Sequence, residues 1–248
     1  MKNKKAKSIL QGLKAATINK AINLLKALIA MYKEMIERGI ALNVAISKGN
    51  RKIGNVLNVS LAPIITCGLA CAHCMHICYD LKAVLQYLNV RLARARNTAL
   101  ALYARDAYFS QIENAMQRRR KNHYLRFHVG GDIPDYDYLC RMIQLASKYP
   151  HYIIWTYTKQ YRFVNRYIAE NGSLPNNLHI MFSIWKEKNK DGNIVIIPVY
   201  NPHDMPTFTI RFAEEEKPNM MKCPGNCQYC INNHCGCVAG QSVYADAH

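Results

Sequence analysis

The sequence predicts an α/β fold, either a partial (β/α) barrel or an open, mostly parallel sheet. Short apolar runs rich in β-branched and aromatic residues, at 124–129, 152–158 and 178–185, alternate with stretches of helical period. That alternation is the pattern of βα units. Half of the 248 residues are hydrophobic, enough for a sizeable core. Polar and sulfur-bearing residues also collect where the runs end, at Cys67, Gly130-Gly131-Asp132, Thr156 to Lys159 and Ser183. In parallel sheets ligands gather at the carboxyl ends of the strands.

Residues 1–45 read as a basic amphipathic helical extension. From Ile9 to Arg38, Leu10, Leu13, Ile18, Ile22, Leu25, Ile29 and Ile36 recur mostly at steps of three and four, with lysines between them. Gly39 is placed to cap the helix. An α/β core is expected over 46–215. Its first turn, Ser47 to Lys52, is rich in donors and positive charge. The apolar run Val56 to Ile65 reads as a buried strand leading into a cysteine loop at 67–78. Helix is expected from Tyr79 to Arg120, with a break at Asn89 or at Asn97-Thr98. Helices at 137–149 and 162–171 follow, the second stopped by Gly172. A charged turn at 186–193 and strands at 194–200 and 208–212 complete the core. Residues 216–248 form a cysteine-rich metal-binding tail, for which His248 is read as a loose end.

The chain carries 33 basic and 16 acidic residues, a net charge of +17. Such an excess speaks about partners rather than fold, and makes nucleic acid the expected one. No apolar stretch is long enough to span a membrane, and the basic start lacks the apolar core of a secretory signal. Ten cysteines in a chain without such a signal point to ligands rather than disulfides. The expected compartment is the cytoplasm of a bacterium or of a phage-infected host.

Cys67, Cys71, Cys74 and Cys78 lie within twelve residues. Four thiolates on one loop repel each other unless a cation holds them, and soft thiolates suit iron–sulfur clusters or zinc. The spacing C-x3-C-x2-C resembles the signature of the radical S-adenosylmethionine (SAM) enzymes. The resemblance implies that Cys67, Cys71 and Cys74 bind a [4Fe–4S] cluster with one iron left for SAM, and that His73 stacks on the adenine. Gly130-Gly131-Asp132 resembles the Gly-Gly-Glu-like segment that holds the SAM amino group in that family, and Ser183 joins the cofactor residues at a strand end. SAM would be cleaved reductively on an unknown substrate, with nucleic acid one candidate, and a reductant protein would be a further partner. Cys78 is a departure, since a fourth thiolate closes the site or makes it a plain zinc site. The alternative function is therefore a non-catalytic zinc or iron–sulfur protein that binds nucleic acid.

The tail repeats C-x3-C-x2-C at Cys223, Cys227 and Cys230 and adds Cys235 and Cys237, with His234 as a nitrogen donor. It is expected to hold zinc or a second iron–sulfur cluster, or to fold back onto the first site. Cys140 and His128 are read as core residues, although His128 could also face the site.

The runs ISKGNRKIG, LAPIITC, CYDLKA, RFHVGGDIPDYDYL, TYTKQYRFVN, NLHIMFSIW and CPGNCQYC together resemble the phage gene product 88 family, from Ile46 to the C-terminus. The family pattern has cysteines at the places of Cys67, Cys74 and Cys78, whereas Cys71 is less general. The resemblance implies a phage or mobile-element protein and no particular activity.

Overall fold

The computed structural model describes residues 13–246 apart from 51–52, 190, 192 and 214. In chain order the elements are α1 (Ala15–Glu37), β1 (Leu57–Val59), α2 (Ala72–Ile77), α3 (Tyr79–Gln86), α4 (Leu88–Tyr103) and α5 (Arg105–Gln117). Next come β2 (Tyr124–Phe127), α6 (Tyr136–Lys148), β3 (Ile153–Thr158), α7 (Tyr161–Asn171), β4 (Leu178–Ile184), β5 (Lys186–Lys188) and β6 (Ile194–Ile196). The chain closes with β7 (Thr207–Arg211), β8 (Met221–Lys222), α8 (Cys227–Asn233), a 3-10 turn (Gly236–Ala239) and β9 (Val243–Asp246).

Seven strands form one sheet in the order β1-β2-β3-β4-β7-β9-β8, and each neighbouring pair is parallel. β1 and β8 are its two edges, so of the two expected architectures the open sheet is the one observed. Side chains alternate across the sheet. Leu125, Phe127, Ile154, Ile180 and Phe182 face a core shared with Tyr108, Phe109 and Ile112 of α5 and Tyr138, Leu139 and Met142 of α6. Trp155 and Met181 face the other way, onto Cys230, Ile231, Cys237 and Val238. The cysteine-rich segment thus lies on the sheet face opposite α5 and α6, and its own β8 and β9 extend the same sheet.

α1 packs through Ala21, Leu25, Ile29 and Tyr32 on Leu81, Val84, Ala95 and Ala99 of α3 and α4. It ends in a Schellman motif: Gly39 has φ 73°, its N–H donates to Ile36, and the N–H of Ile40 donates to Met35. Leu10 and the start expected at Ile9 lie outside the described residues, as do Arg51, Lys52 and His248.

Two expectations need correction. The helical stretch after the cysteines breaks at Cys78, Tyr87 and Ala104, not at Asn97-Thr98. Asn97 and Thr98 are buried inside α4, where their polarity serves tertiary bonds. Asn97 binds the N–H and C=O of Ala45 and the C=O of Ser60, and the Thr98 hydroxyl accepts the N–H of Ala62. The charged turn at 186–193 is instead a hairpin. β5 and β6 pair antiparallel outside the main sheet, around Asn189, whose side chain accepts the N–H groups of Asp191 and Asn193. Among the described residues no helix is long and apolar enough to cross a membrane.

Candidate functional site

Three parallel strands, β1, β2 and β3, end side by side, and their following segments are tied together. Leaving β1, the chain turns at Ile64 (φ 68°), and Thr66 bonds back to Ala62 through its N–H and hydroxyl. The Thr66 hydroxyl oxygen also accepts the N–H of Asp132 at 3.1 Å, so the residue before Cys67 is joined to the Gly-Gly-Asp segment after β2. Lys159, after β3, completes the junction. Its N–H donates to Asp132 Oδ2 at 2.9 Å, and its ammonium donates to Cys74 Sγ at 3.0 Å while lying 4.1 Å from the Trp185 ring centroid.

The loop itself is two short helices capped by cysteine. Cys71 Sγ accepts the N–H of Cys74 at the start of α2, and Cys78 Sγ accepts the N–H of Leu81 at the start of α3, each at 3.4 Å. Cys67 Sγ accepts the N–H of Ile64 at 3.4 Å. Every sulfur of the loop therefore accepts a hydrogen bond. A neutral thiol is a weak acceptor, whereas an anionic or metal-bound sulfur is a good one. Burial pushes the Cys67 thiol far up, and the charges of Asp132, Cys74 and Cys78 add to that. Burial also pushes Cys78 up to about 11, with Asp80 and Cys74 adding to the rise. Cys67, Cys74 and Cys78 are thus close enough to act on one another; a cation among them would reverse these costs.

Gly130, Gly131 and Asp132 have structural work of their own. A Cβ at Gly130 would run into the Asp80 carboxylate, which is buried in a two-pronged pair with Arg94 at 3.0 and 2.8 Å. Gly131 has φ 81°, and a Cβ there would run into Leu61 and Thr66. Both oxygens of Asp132 are engaged: Oδ1 accepts from the N–H of Ile133 and the hydroxyl of Thr158, and Oδ2 from Lys159. Burial raises its pKa to about 6 despite these donors. The carboxylate fastens the end of β3 to the loop after β2, and does not point outward as a free partner for an ammonium group.

His73 lies in α2, and its side chain is outside the described residues. Ser183 sits in β4 beside Phe208, and its carbonyl accepts the Tyr161 hydroxyl. His128 is a core residue: it is buried between the hydroxyls of Thr156 and Tyr138, and burial drives its pKa down to about 3. Cys140 is half-buried on α6. His234 is exposed and ends α8 in the left-handed conformation.

Sequence reasoning noted Lys159 at a strand end without its partner Cys74, and it missed Gln160 and Arg126. Gln160 is buried, with Oε1 lacking any partner, and its side chain fills the space a Cβ on Gly68 would need. A buried acceptor without a donor therefore adjoins the residue after Cys67. The signal for Arg126 was a charge in the middle of the strand run YLRFHV.

The loop and the tail differ in the charges around their sulfurs, and Arg126 neighbours both Tyr79 and the tail's Cys227 and Cys237. The charges that weigh most on Cys67 and Cys78 come from Asp132, Asp80 and each other's neighbourhood, and those on Cys230 and Cys237 come from tail cysteines and Arg126. Among the described residues, no three His, Cys, Asp or Glu side chains close around a single point as metal ligands do. The donor chemistry of the loop, four hydrogen-bonded sulfurs beside a lone buried acceptor, nonetheless fits a thiolate-held group.

The family model described as gene product 88 matches residues 38–198, and the chain belongs to that family. The match includes the loop cysteines and Gly130 to Asp132 and stops before the tail cysteines. No curated protein and no solved structure matches the chain.

Proposed function

We propose that this member of the gene product 88 family is an iron–sulfur protein of the radical SAM type, with its cluster on the loop at the ends of β1, β2 and β3. The observation that carries the reading is that all four loop sulfurs accept hydrogen bonds where these strands end. Cys67, Cys74 and Cys78 are the ligands, because Cys67 feels the charges of Cys74 and Cys78, and Cys78 that of Cys74. This set differs from the C-x3-C-x2-C triplet and still leaves one iron free of cysteine. When bound, such a cluster supplies the electron for reductive cleavage of SAM.

The chain's own residues have definite tasks in this reading. Lys159 holds the Cys74 sulfur by a charge-assisted bond. Asp132 is a positioning residue that keeps Lys159 and Thr66 together. Gln160 offers its unpartnered oxygen to a donor on the bound cofactor. The charge supports a polyanionic substrate: if each of the 16 acidic residues cancelled one of the 33 basic ones, 17 would remain. Binding to such a substrate would weaken steeply with salt.

The test is anaerobic purification, reduction with dithionite and incubation with SAM. Formation of 5′-deoxyadenosine and methionine, absent in Cys74→Ser, is the expected result. A colourless chain that holds zinc on the loop and leaves SAM intact would put the non-catalytic nucleic-acid-binding reading in its place.

A further inference from the structure

Arg126 is a half-buried cation with no carboxylate paired to it among the described residues. It rises from β2 on the sheet face opposite α5 and α6, and its Nε has no hydrogen-bond partner. Its guanidinium carbon lies 5.1 Å from the Tyr157 ring centroid. Its neighbours include the phenols of Tyr157 and Tyr79 and the thiols of Cys227 and Cys237. The Nε atom is shielded from water, and a cation held there without an anion is costly, so an anion is favoured on this face.

The tail supplies the candidate. Cys227, Cys230, Cys235 and Cys237 share one apolar cluster with Trp155, Met181 and Val243, whereas Cys223 lies outside that cluster, near enough for its charge to act on Cys237. Cys230 and Cys237 are only 6% and 7% exposed, which leaves little room for an open coordination position. The Cys230 and Cys235 side chains are hydrogen-bonded to each other. Tyr157 Oη lies 2.6 Å from Cys237 Sγ, as a donor to an anionic sulfur would. The left-handed turns at His234 and Gly236 bring the chain back, with the N–H of Cys235 on the C=O of Cys230. The strands this segment joins are two and four residues long, a weak anchorage by themselves.

We propose that Cys227, Cys230, Cys235 and Cys237 bind one zinc ion, a closed structural site that fastens the tail to the sheet and gives Arg126 its counter-charge. Four thiolates on a divalent ion carry a net charge of about −2, which answers the guanidinium. Binding draws the four sulfurs together and releases their protons. The site stands independently of the loop cluster.

The full-length chain with Cys67, Cys71, Cys74 and Cys78 all changed to Ser isolates the tail. Its zinc content is measured, and cobalt chloride is titrated into the zinc-free form. One zinc per chain, and one equivalent of cobalt giving the intense visible bands of a tetrahedral thiolate site, are expected. Cys227→Ser and Cys237→Ser lose both, and Cys223→Ser keeps both. Should the serine variants fail to fold, Trp155 fluorescence in a Trp185→Phe background with the tail unaltered reports the site, since chelation is expected to shift it and zinc to restore it. A folded chain with neither zinc nor cobalt bands would overturn the proposal, as would iron with sulfide in place of zinc.

Discussion

The two cysteine groups use the same spacing in opposite settings. The loop at 67–78 lies at the carboxyl edge of the sheet, where strands end, and all four of its cysteines are half-buried residues. The tail at 223–237 lies on the sheet's face, with Cys230 and Cys237 buried against Trp155 and Met181. The loop's sulfurs are held by backbone N–H groups and a lysine, and the tail's Cys237 by a phenol, with a guanidinium nearby. An edge site leaves access for a substrate, whereas a face site is closed by the strands behind it. Spacing alone therefore does not distinguish a reactive centre from a structural one; position on the sheet does.

The comparison is broken most severely by removing sulfurs. Cys67→Ser is expected to abolish bound iron entirely while leaving tail zinc in place, and Cys237→Ser to do the reverse, as read by metal analysis of each variant. Equal losses of both metals from either variant would mean a single shared centre.

The next effect is on folding at the edge. Gly130→Ala forces a methyl group onto the buried Asp80–Arg94 pair. Disrupting a buried pair costs about 3–5 kcal/mol, so urea unfolding should show a loss of that order. A loss under about 1 kcal/mol would mean that the loop after β2 can shift away from α3.

His128 gives a control in the core behind the site, two residues before Gly130. Its pKa falls from 6.5 to about 3 because burial penalises the charged ring. The folded state keeps it neutral, while the unfolded chain takes up a proton below about pH 6.5. Its contribution is complete above that pH and is lost as pH falls, at about 1.4 kcal/mol per unit. His128→Gln should be less stable than the parent at pH 7, because it disturbs the contacts to Thr156 and Tyr138, and its acid limb between pH 6 and 4 should be shallower. Parallel limbs would place the acid sensitivity elsewhere.

The smallest expected effect sharpens the edge site. Lys159→Gln removes the charged donor on Cys74 Sγ. Less positive charge at the sulfur favours the oxidised cluster, so its reduction potential should fall by tens of millivolts, given that about 59 mV corresponds to 1.4 kcal/mol for one electron. The potential is read by anaerobic redox titration, with the tail's zinc content unchanged.

Much of the fold was legible because the buried strands announce themselves. YIIWTYT and LHIMFSIW alternate between two covered faces, and both became central strands of the sheet. Asn97-Thr98 misled because polar residues that break helices in isolation here serve buried tertiary bonds. β8 and β9 are too short to show a period, so the tail's place in the sheet could not be read from its sequence. At the site, the meeting of Cys67 with Gly130 to Asp132 was legible from strand ends. The roles of Lys159, Gln160 and Arg126 were not, because each depends on a partner that is distant in sequence: Cys74, the Gly68 backbone and the tail thiols.

The central claim is that the edge loop holds an iron–sulfur cluster. Iron and acid-labile sulfide per chain, measured after purification without oxygen, test it most directly in the parent and in a variant with Cys67, Cys74 and Cys78 changed to Ser. About four iron and four sulfide in the parent, and neither in the variant, are predicted. Zinc without iron in the parent, or iron unchanged in the variant, would contradict it.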